Sequence, residues 1–288
     1  MKSRNAPYHR PGSLDEAIAL LAASDNAVVL AGGQSLVAAL NLRLNAPDAI
    51  IDINGIAGLS AITETADEIV IGALVRHNET AASPLIAQHL PLIRKAMPHV
   101  AHPAIRNRGT TCGSLVYADP AAEMPACAVA LDATLVLLSG EGQREIAARN
   151  FYFGLYDTDR RPDELLVEVR FPKAPQRALA GFGEIARRRG DFASVGVAVS
   201  VHMDGARISA LDMVAFASEP APRLCRQTAS EAIGQEWSAE LVGRLAAAFA
   251  SEIDPMDTPL GAPEIKRRQA RGLASRVLAE VGEDFRAR

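Results

Sequence analysis

The sequence predicts an α+β fold of two domains, on three observations. A short apolar strand, a glycine-rich turn, a helix and a second strand follow one another from Ala27 to Ile53, the order of a βαβ-like unit. Farther on, two strand-like runs, Val195 to Met203 and Ala206 to Phe216, flank Asp204-Gly205, a dipeptide favoured in two-residue hairpin turns. Helical patterns occupy the remainder, so strands and helices segregate in this part of the chain. A length of 288 residues with 49% hydrophobic composition suits two domains, at roughly 150 residues per domain.

The elements follow in order. Ser13-Leu14-Asp15-Glu16 is a capping box that opens a helix with Leu14, Ala17, Ile18 and Leu21 at helical spacing. Ala27 to Leu30 reads as a buried strand, Leu36 to Leu44 as a helix, and Ile50 to Ile53 as the next strand. Glu68 to Leu74 is a strand, and Leu85 to Met97 a helix interrupted by Pro91. Pro98 to Pro120 shows little periodicity and is expected to be a long structureless stretch, which in a compact domain points to function. Ala121 to Leu131 is helical; Thr134 to Leu138 and Leu165 to Phe171 are strands. Pro172 to Pro175 reads as the linker that ends the first domain. After the hairpin, Gln227 to Ile233, Ser238 to Ala250 and Pro263 to Val281 are expected helices, with Lys266-Arg267-Arg268 on an exposed face.

Composition excludes several classes of function. A net charge of −4 provides no basic field for nucleic acid. No stretch approaches the ~20 apolar residues of a membrane span, and the first residues lack a signal-peptide core, so the expected location is the cytoplasm. Three cysteines, Cys112, Cys127 and Cys225, form no CxxC pair and are too few for an iron–sulfur cluster. His77, His99 and His102 lack metal-ligand spacing, so no metal site is expected.

Two glycine-rich turns carry the functional signal: Ala31-Gly32-Gly33-Gln34-Ser35-Leu36 and Thr110-Thr111-Cys112-Gly113-Ser114-Leu115. Glycine admits a ligand close to the backbone, and consecutive turn amides form a positive concavity suited to a diphosphate. Neither turn fits GxGxxG or GxxxxGK[ST], which argues against an ordinary dinucleotide fold or a nucleotide triphosphatase. Several amide hydrogen bonds to charged oxygens, at ~1.5 to 3 kcal/mol each, would suffice without lysine or arginine.

These turns, together with Ile105-Arg106-Asn107-Arg108-Gly109, Ala118-Asp119-Pro120-Ala121-Ala122-Glu123-Met124-Pro125, Asp163-Glu164-Leu165-Leu166 and Arg187-Arg188-Arg189-Gly190-Asp191-Phe192-Ala193, resemble the FAD-binding medium subunit of molybdenum hydroxylases of the carbon monoxide dehydrogenase and xanthine dehydrogenase class. The resemblance spans essentially the whole chain. It implies an FAD-binding domain of the vanillyl-alcohol-oxidase (PCMH) type over residues 1–175, with subdomains at about 1–56 and 57–175. A smaller α+β domain, like the carbon monoxide dehydrogenase flavoprotein C-terminal domain, would occupy 176–288.

By that likeness, the amides of Gly32 to Leu36 and the hydroxyls of Ser35, Thr110 and Ser114 would hold the pyrophosphate and nearby ribityl oxygens. Ala31, Gly32, Gly33, Gln34, Ser35, Leu36, Ala101, Ile105, Thr110 and Gly113 count among the implied cofactor positions. Glu123 would face a ribose hydroxyl, with Asp119 nearby, because carboxylates only accept hydrogen bonds. Leu166 would lie near the flavin ring through its backbone, and Phe192 beside the isoalloxazine. Read from the residues alone, Asp119 and Glu123 are also ordinary acids at a helix start, Leu166 a buried strand leucine, and Phe192 a piece of interdomain core. Cys112 stands where the family usually has a second glycine, and it reads as a small buried residue.

The resemblance further implies an electron-transfer subunit with no catalytic acid or base of its own. It would take electrons from [2Fe–2S] clusters on a small partner subunit, beside a large molybdopterin-binding subunit, and pass them to an external acceptor. Higher assembly, such as a dimer of heterotrimers, is expected. The alternative is a self-contained FAD-dependent oxidase, for which His77 or His102 would matter. A further reading, an FAD-stabilised scaffold, predicts flavin that is never reduced in turnover.

Overall fold

A computed structural model describes residues 3–175 and 178–287. The N-terminal layer is a three-stranded parallel sheet in which Ala49–Asp52 lies between Tyr8–His9 and Ala27–Leu30. Helix Leu14–Ala22 covers it, burying Ala17, Ile18 and Leu21 against Ile51 and Ile53. Half of the expected capping box forms: Ser13 Oγ accepts the Glu16 amide at 3.2 Å, but the Glu16 carboxylate takes the Gly12 amide at 2.8 Å, one residue ahead of the cap, rather than that of Ser13.

The second layer is a five-stranded antiparallel sheet in the order Ile62–Glu64, Glu68–Gly72, Leu165–Pro172, Thr134–Ser139, Gly142–Ala147. Its alternating apolar residues, among them Ile69, Ile71, Leu135, Leu137 and Val169, enter one core with helices Pro84–His89, Pro91–Ala96, Thr111–Tyr117 and Glu123–Ala130. Pairing shifts register between Leu166 and Glu168, a bulge beside the expected flavin position.

The third layer is an antiparallel sheet of Leu179–Ile185, Val195–Asp204, Arg207–Phe216 and Arg223–Leu224. Period-two alternation sends its two faces to different partners. Val195, Val197, Val199 and Val201 pack against helices Ala239–Glu252 and Pro263–Arg286. Ala180, Phe182, Ala198, Val214 and Phe216 from the other face join the core of the second layer. The C-terminal sheet is therefore bonded to the preceding layer by a shared core, and Lys173 and Ala174 of the expected linker are tied by their amides to Asp67 and His89.

Several expectations change. Pro98 to Pro120 is not structureless: Pro103–Arg106 and Thr111–Tyr117 are helices, started by an N1 proline and by a Thr110 cap. Their brevity hides them from periodicity. The hairpin turn is Gly205-Ala206, one residue later than expected, with Asp204 paired to Arg207 and Gly205 at φ 57°. Strand Leu179–Ile185 has no sequence signal because Gly181 and Gly183, poor strand residues, make room for Val277 and Leu273 of the last helix. Lys266 is buried rather than exposed, its Nζ donating to the Met256 carbonyl at 2.9 Å. Among the described residues, no helix is long and apolar enough to cross a membrane.

Candidate functional site

The first turn leaves the carboxyl end of strand Ala27–Leu30, and Gly33 takes φ 73°, a conformation open to glycine at no steric cost. The Val37 amide returns to the Gly33 carbonyl at 3.0 Å and starts helix Leu36–Asn41. The amides of Gln34, Ser35 and Leu36 thus stand ahead of the first intrahelical bond. Ser35 is exposed and makes no capping bond with its side chain, so its hydroxyl is uncommitted. Gln34 is held inward, Nε2 to the Gly32 carbonyl at 3.2 Å.

The second turn is a helix start. Thr110 is buried, and its hydroxyl accepts the Gly113 amide at 3.1 Å, which engages that amide and leaves the Thr110 hydroxyl hydrogen to donate elsewhere. The Gly109 carbonyl accepts the His77 amide at 2.9 Å, and Thr111 pairs with Thr80 through their hydroxyls at 2.8 Å. Ser114 is half-buried one turn along. Cys112 faces away from this surface: its Sγ lies 3.5 Å from the Ile71 carbonyl in the core, and burial, with the Glu168 charge adding, pushes the thiol far up.

The two turns touch. A Cβ on Gly32 would sit 2.4 Å from the Arg108 carbonyl oxygen and 2.7 Å from the Gly109 Cα, so only glycine allows one backbone to lie against the other. Beside this contact, at the carboxyl ends of the parallel strands, opens a cavity of about 440 Å³ lined by Gly32, Gly33, Gln34, Asp52, Asn54 and Arg108, among others. Asn54 donates to the Ala31 carbonyl at 2.8 Å and accepts from Arg76 Nη2 at 2.6 Å, while Arg76 Nη1 reaches the Arg108 carbonyl at 2.5 Å. Asp52 accepts from Asn54 and from the Tyr8 hydroxyl. Sequence reasoning missed Asp52, Asn54, Arg76 and Arg108. The one available signal was Asp52-Ile53-Asn54 closing a parallel strand, where ligands gather in open α/β sheets.

At the far end of helix Thr111–Tyr117, about 10 Å along at 1.5 Å per residue, Ala118 turns left-handed at φ 52°. Asp119 Oδ1 accepts the Ala121 amide at 2.9 Å, and Oδ2 accepts the Tyr156 hydroxyl at 3.2 Å. Glu123 is the first residue of its helix and half-buried. Burial lifts its carboxyl to about 8, opposed by a hydrogen bond from its own backbone amide, helped by the Glu184 and Asp119 charges and opposed again by Arg106. No side chain among the described residues donates to it.

A third group assembles from the C-terminal layer. Gly190, at φ 85°, brings the loop of Arg188 to Phe192 against Ala101, so that a Cβ there would lie 2.9 Å from the Ala101 carbonyl. Ala101 itself has φ 42°, and its carbonyl is held by Arg106 Nη1 at 3.0 Å. Ile105 is half-buried, its carbonyl accepting the Gly109 amide at 2.7 Å. Phe192 is 67% exposed, which excludes the interdomain-core reading of this ring. Leu166 is buried in its strand at the bulge. Of the histidines, His102 is exposed. His77 is buried under Gly109 with Nδ1 unpartnered, and burial, aided by the Arg106 charge, holds it neutral at about 4.

Residues 2–174 match the family described as the FAD binding domain in molybdopterin dehydrogenase, and residues 180–281 match the CO dehydrogenase flavoprotein C-terminal domain. The chain is 36% identical over 283 residues to the 6-hydroxypseudooxynicotine dehydrogenase complex subunit alpha of Paenarthrobacter nicotinovorans, covering 98% of this chain and 96% of the relative. It superposes on a chain of carbon monoxide dehydrogenase from Hydrogenophaga pseudoflava with a TM-score of 0.95 at 31% identity, covering 98% and 99% of the two. Quinoline 2-oxidoreductase from Pseudomonas putida 86 gives a TM-score of 0.94 at 32% identity, covering 99% of each chain. The chain therefore belongs to the FAD-binding medium subunits of the molybdenum hydroxylase family, as an oxidoreductase subunit whose cofactor is FAD.

Proposed function

We propose that this chain is the electron-transfer subunit of a molybdenum hydroxylase complex, accepting electrons from [2Fe–2S] clusters on a small partner and delivering them to an external acceptor, with the substrate oxidised on a large molybdopterin-binding partner. A dimer of such heterotrimers is the assembly we expect. The observation that carries the cofactor's placement is the backbone contact between Gly32 and Arg108, which joins two amide-rich turns into one surface.

The residues present fit FAD. The amides of Gln34 to Leu36 and the Ser35 hydroxyl are uncommitted donors for a diphosphate, and the Ser114 hydroxyl lies on the adjoining helix. Glu123 takes a hydrogen bond from its own backbone amide and, among the described residues, from no side chain, which leaves acceptor capacity for a ribose diol. Ala101, the Leu166 backbone at the bulge and the exposed Phe192 ring would flank the isoalloxazine. When bound, FAD supplies electron transfer in one- and two-electron steps. The chain's residues bind it, orient it and limit water around it; Thr110 and Gly113 serve by capping the helix that aligns Ser114 and Asp119.

Replacing Gly33 with Val tests the placement. A branched side chain opposes φ 73° and would press on Leu30 and Val37, at 3.1 and 3.2 Å from the new Cβ. The variant is expected to lose FAD on purification, and normal flavin content in it would sink the assignment. Electron transfer is tested by stopped-flow spectra of the assembled complex: substrate must bleach the flavin band within turnover time.

A further inference from the structure

We infer that Arg76 is a positioning residue for the cofactor's diphosphate, setting the spacing of the two turns and placing a fixed positive charge behind them. This rests on the proposed seating of FAD in the turns.

The geometry is specific. One guanidinium spans both halves of the clamp, with Nη2 on Asn54, which holds the Ala31 carbonyl of the first turn, and Nη1 on the Arg108 carbonyl that leads into the second. That same Arg108 oxygen is the atom against which the Gly32 backbone rests. The charge therefore lies directly at the junction of the turns. The backbone of Arg76 is fixed as well, by a bridge to Thr110 and by its amide bond to Glu79 Oε2 at 2.7 Å.

Both side-chain partners of Arg76 are neutral, whereas Arg144 and Arg149 are each matched by carboxylates. The nearby Asp52 carboxylate is engaged by Tyr8 and Asn54, and Glu79 by the Arg76 amide. Burial and then the Arg108 charge press against protonation of Arg76, while the Glu79 and Asp52 charges favour it. Among the described residues this half-buried guanidinium hydrogen-bonds neutral oxygens and meets Asp52 and Glu79 only through space, so it keeps attraction for an anion that a diphosphate on the turns would supply. The clamp then does not rely on amides alone, as its lysine-free turns suggest.

The test uses the full chain stripped of flavin and titrated with FAD, ADP and riboflavin, as wild type, Arg76→Lys and Arg76→Met, at low and high salt. Arg76→Met should raise the Kd for FAD and ADP by about 10-fold or more and flatten the salt dependence for ADP, while riboflavin affinity stays within about 2-fold. Arg76→Lys should recover much of the ADP affinity and its salt dependence. Equal losses for all three ligands, or a Lys variant as weak toward ADP as the Met variant, would overturn the inference. Should the Met variant not fold, the Lys variant and wild type decide through ADP affinity and salt slope: a tenfold loss with charge retained overturns the electrostatic role. Wild-type chain that ignores ADP while binding riboflavin as tightly as FAD would instead refute the diphosphate seating itself.

Discussion

Gly32 and Arg108 lie backbone against backbone, with the position of a Gly32 Cβ only 2.4 Å from the Arg108 carbonyl oxygen. Since both sides are main chain, no rotamer change relieves a methyl group placed there. Gly32→Ala should part the turns, lowering stability by about 3 kcal/mol and weakening FAD retention together. Urea unfolding and the flavin-to-protein absorbance ratio measure the two, and an alanine variant with wild-type values for both would show that the turns do not depend on this contact.

Cys112 lies in the core with its sulfur turned toward Ile71, away from the turn surface. Cys112→Gly should cost about 1 to 3 kcal/mol through lost burial and a helical glycine, with FAD content and visible spectrum unchanged. All three cysteines are buried, so the folded chain should resist a thiol reagent until denatured.

Burial raises the Glu123 carboxyl to about 8 from its ordinary 4.5. Between those values the folded chain holds a proton that the unfolded chain has released, so stability falls as pH rises through this window. Glu123→Gln removes the effect. The flavin-free variant should match wild type near pH 4.5 and exceed it by on the order of 1 to 3 kcal/mol above pH 8, in unfolding curves collected across the range. A difference independent of pH would contradict the cause given.

Phe192 is exposed and contributes little packing to the flavin-free chain. Phe192→Ala should leave stability within about 0.5 kcal/mol, yet raise the Kd for FAD by about 2- to 10-fold through lost ring contact. Fluorescence titration of the stripped chain reads the affinity. Unchanged binding would move the flavin ring away from this loop.

Much of the architecture was legible because its signals are local. The Ser13 helix cap, the alternation of Val195 to Val201 and the glycine turns act through backbone dihedrals and side-chain period, which neighbouring residues specify. The ordered motifs from Ala31 to Phe192 likewise identified the family and FAD. Lys266 buried on a charged run, Phe192 left in solvent and Thr110 committed to a helix cap were settled by packing and competing hydrogen bonds. Alternation announces two faces of the C-terminal sheet without naming which core each enters. The link from Asn54 through Arg76 to Arg108 has no sequence signature, because it joins residues brought together only when the parallel sheet closes against the antiparallel one. Sequence alone thus determined the turns and, through the family, the cofactor. Tertiary structure decided that they meet, and that an arginine stands behind them.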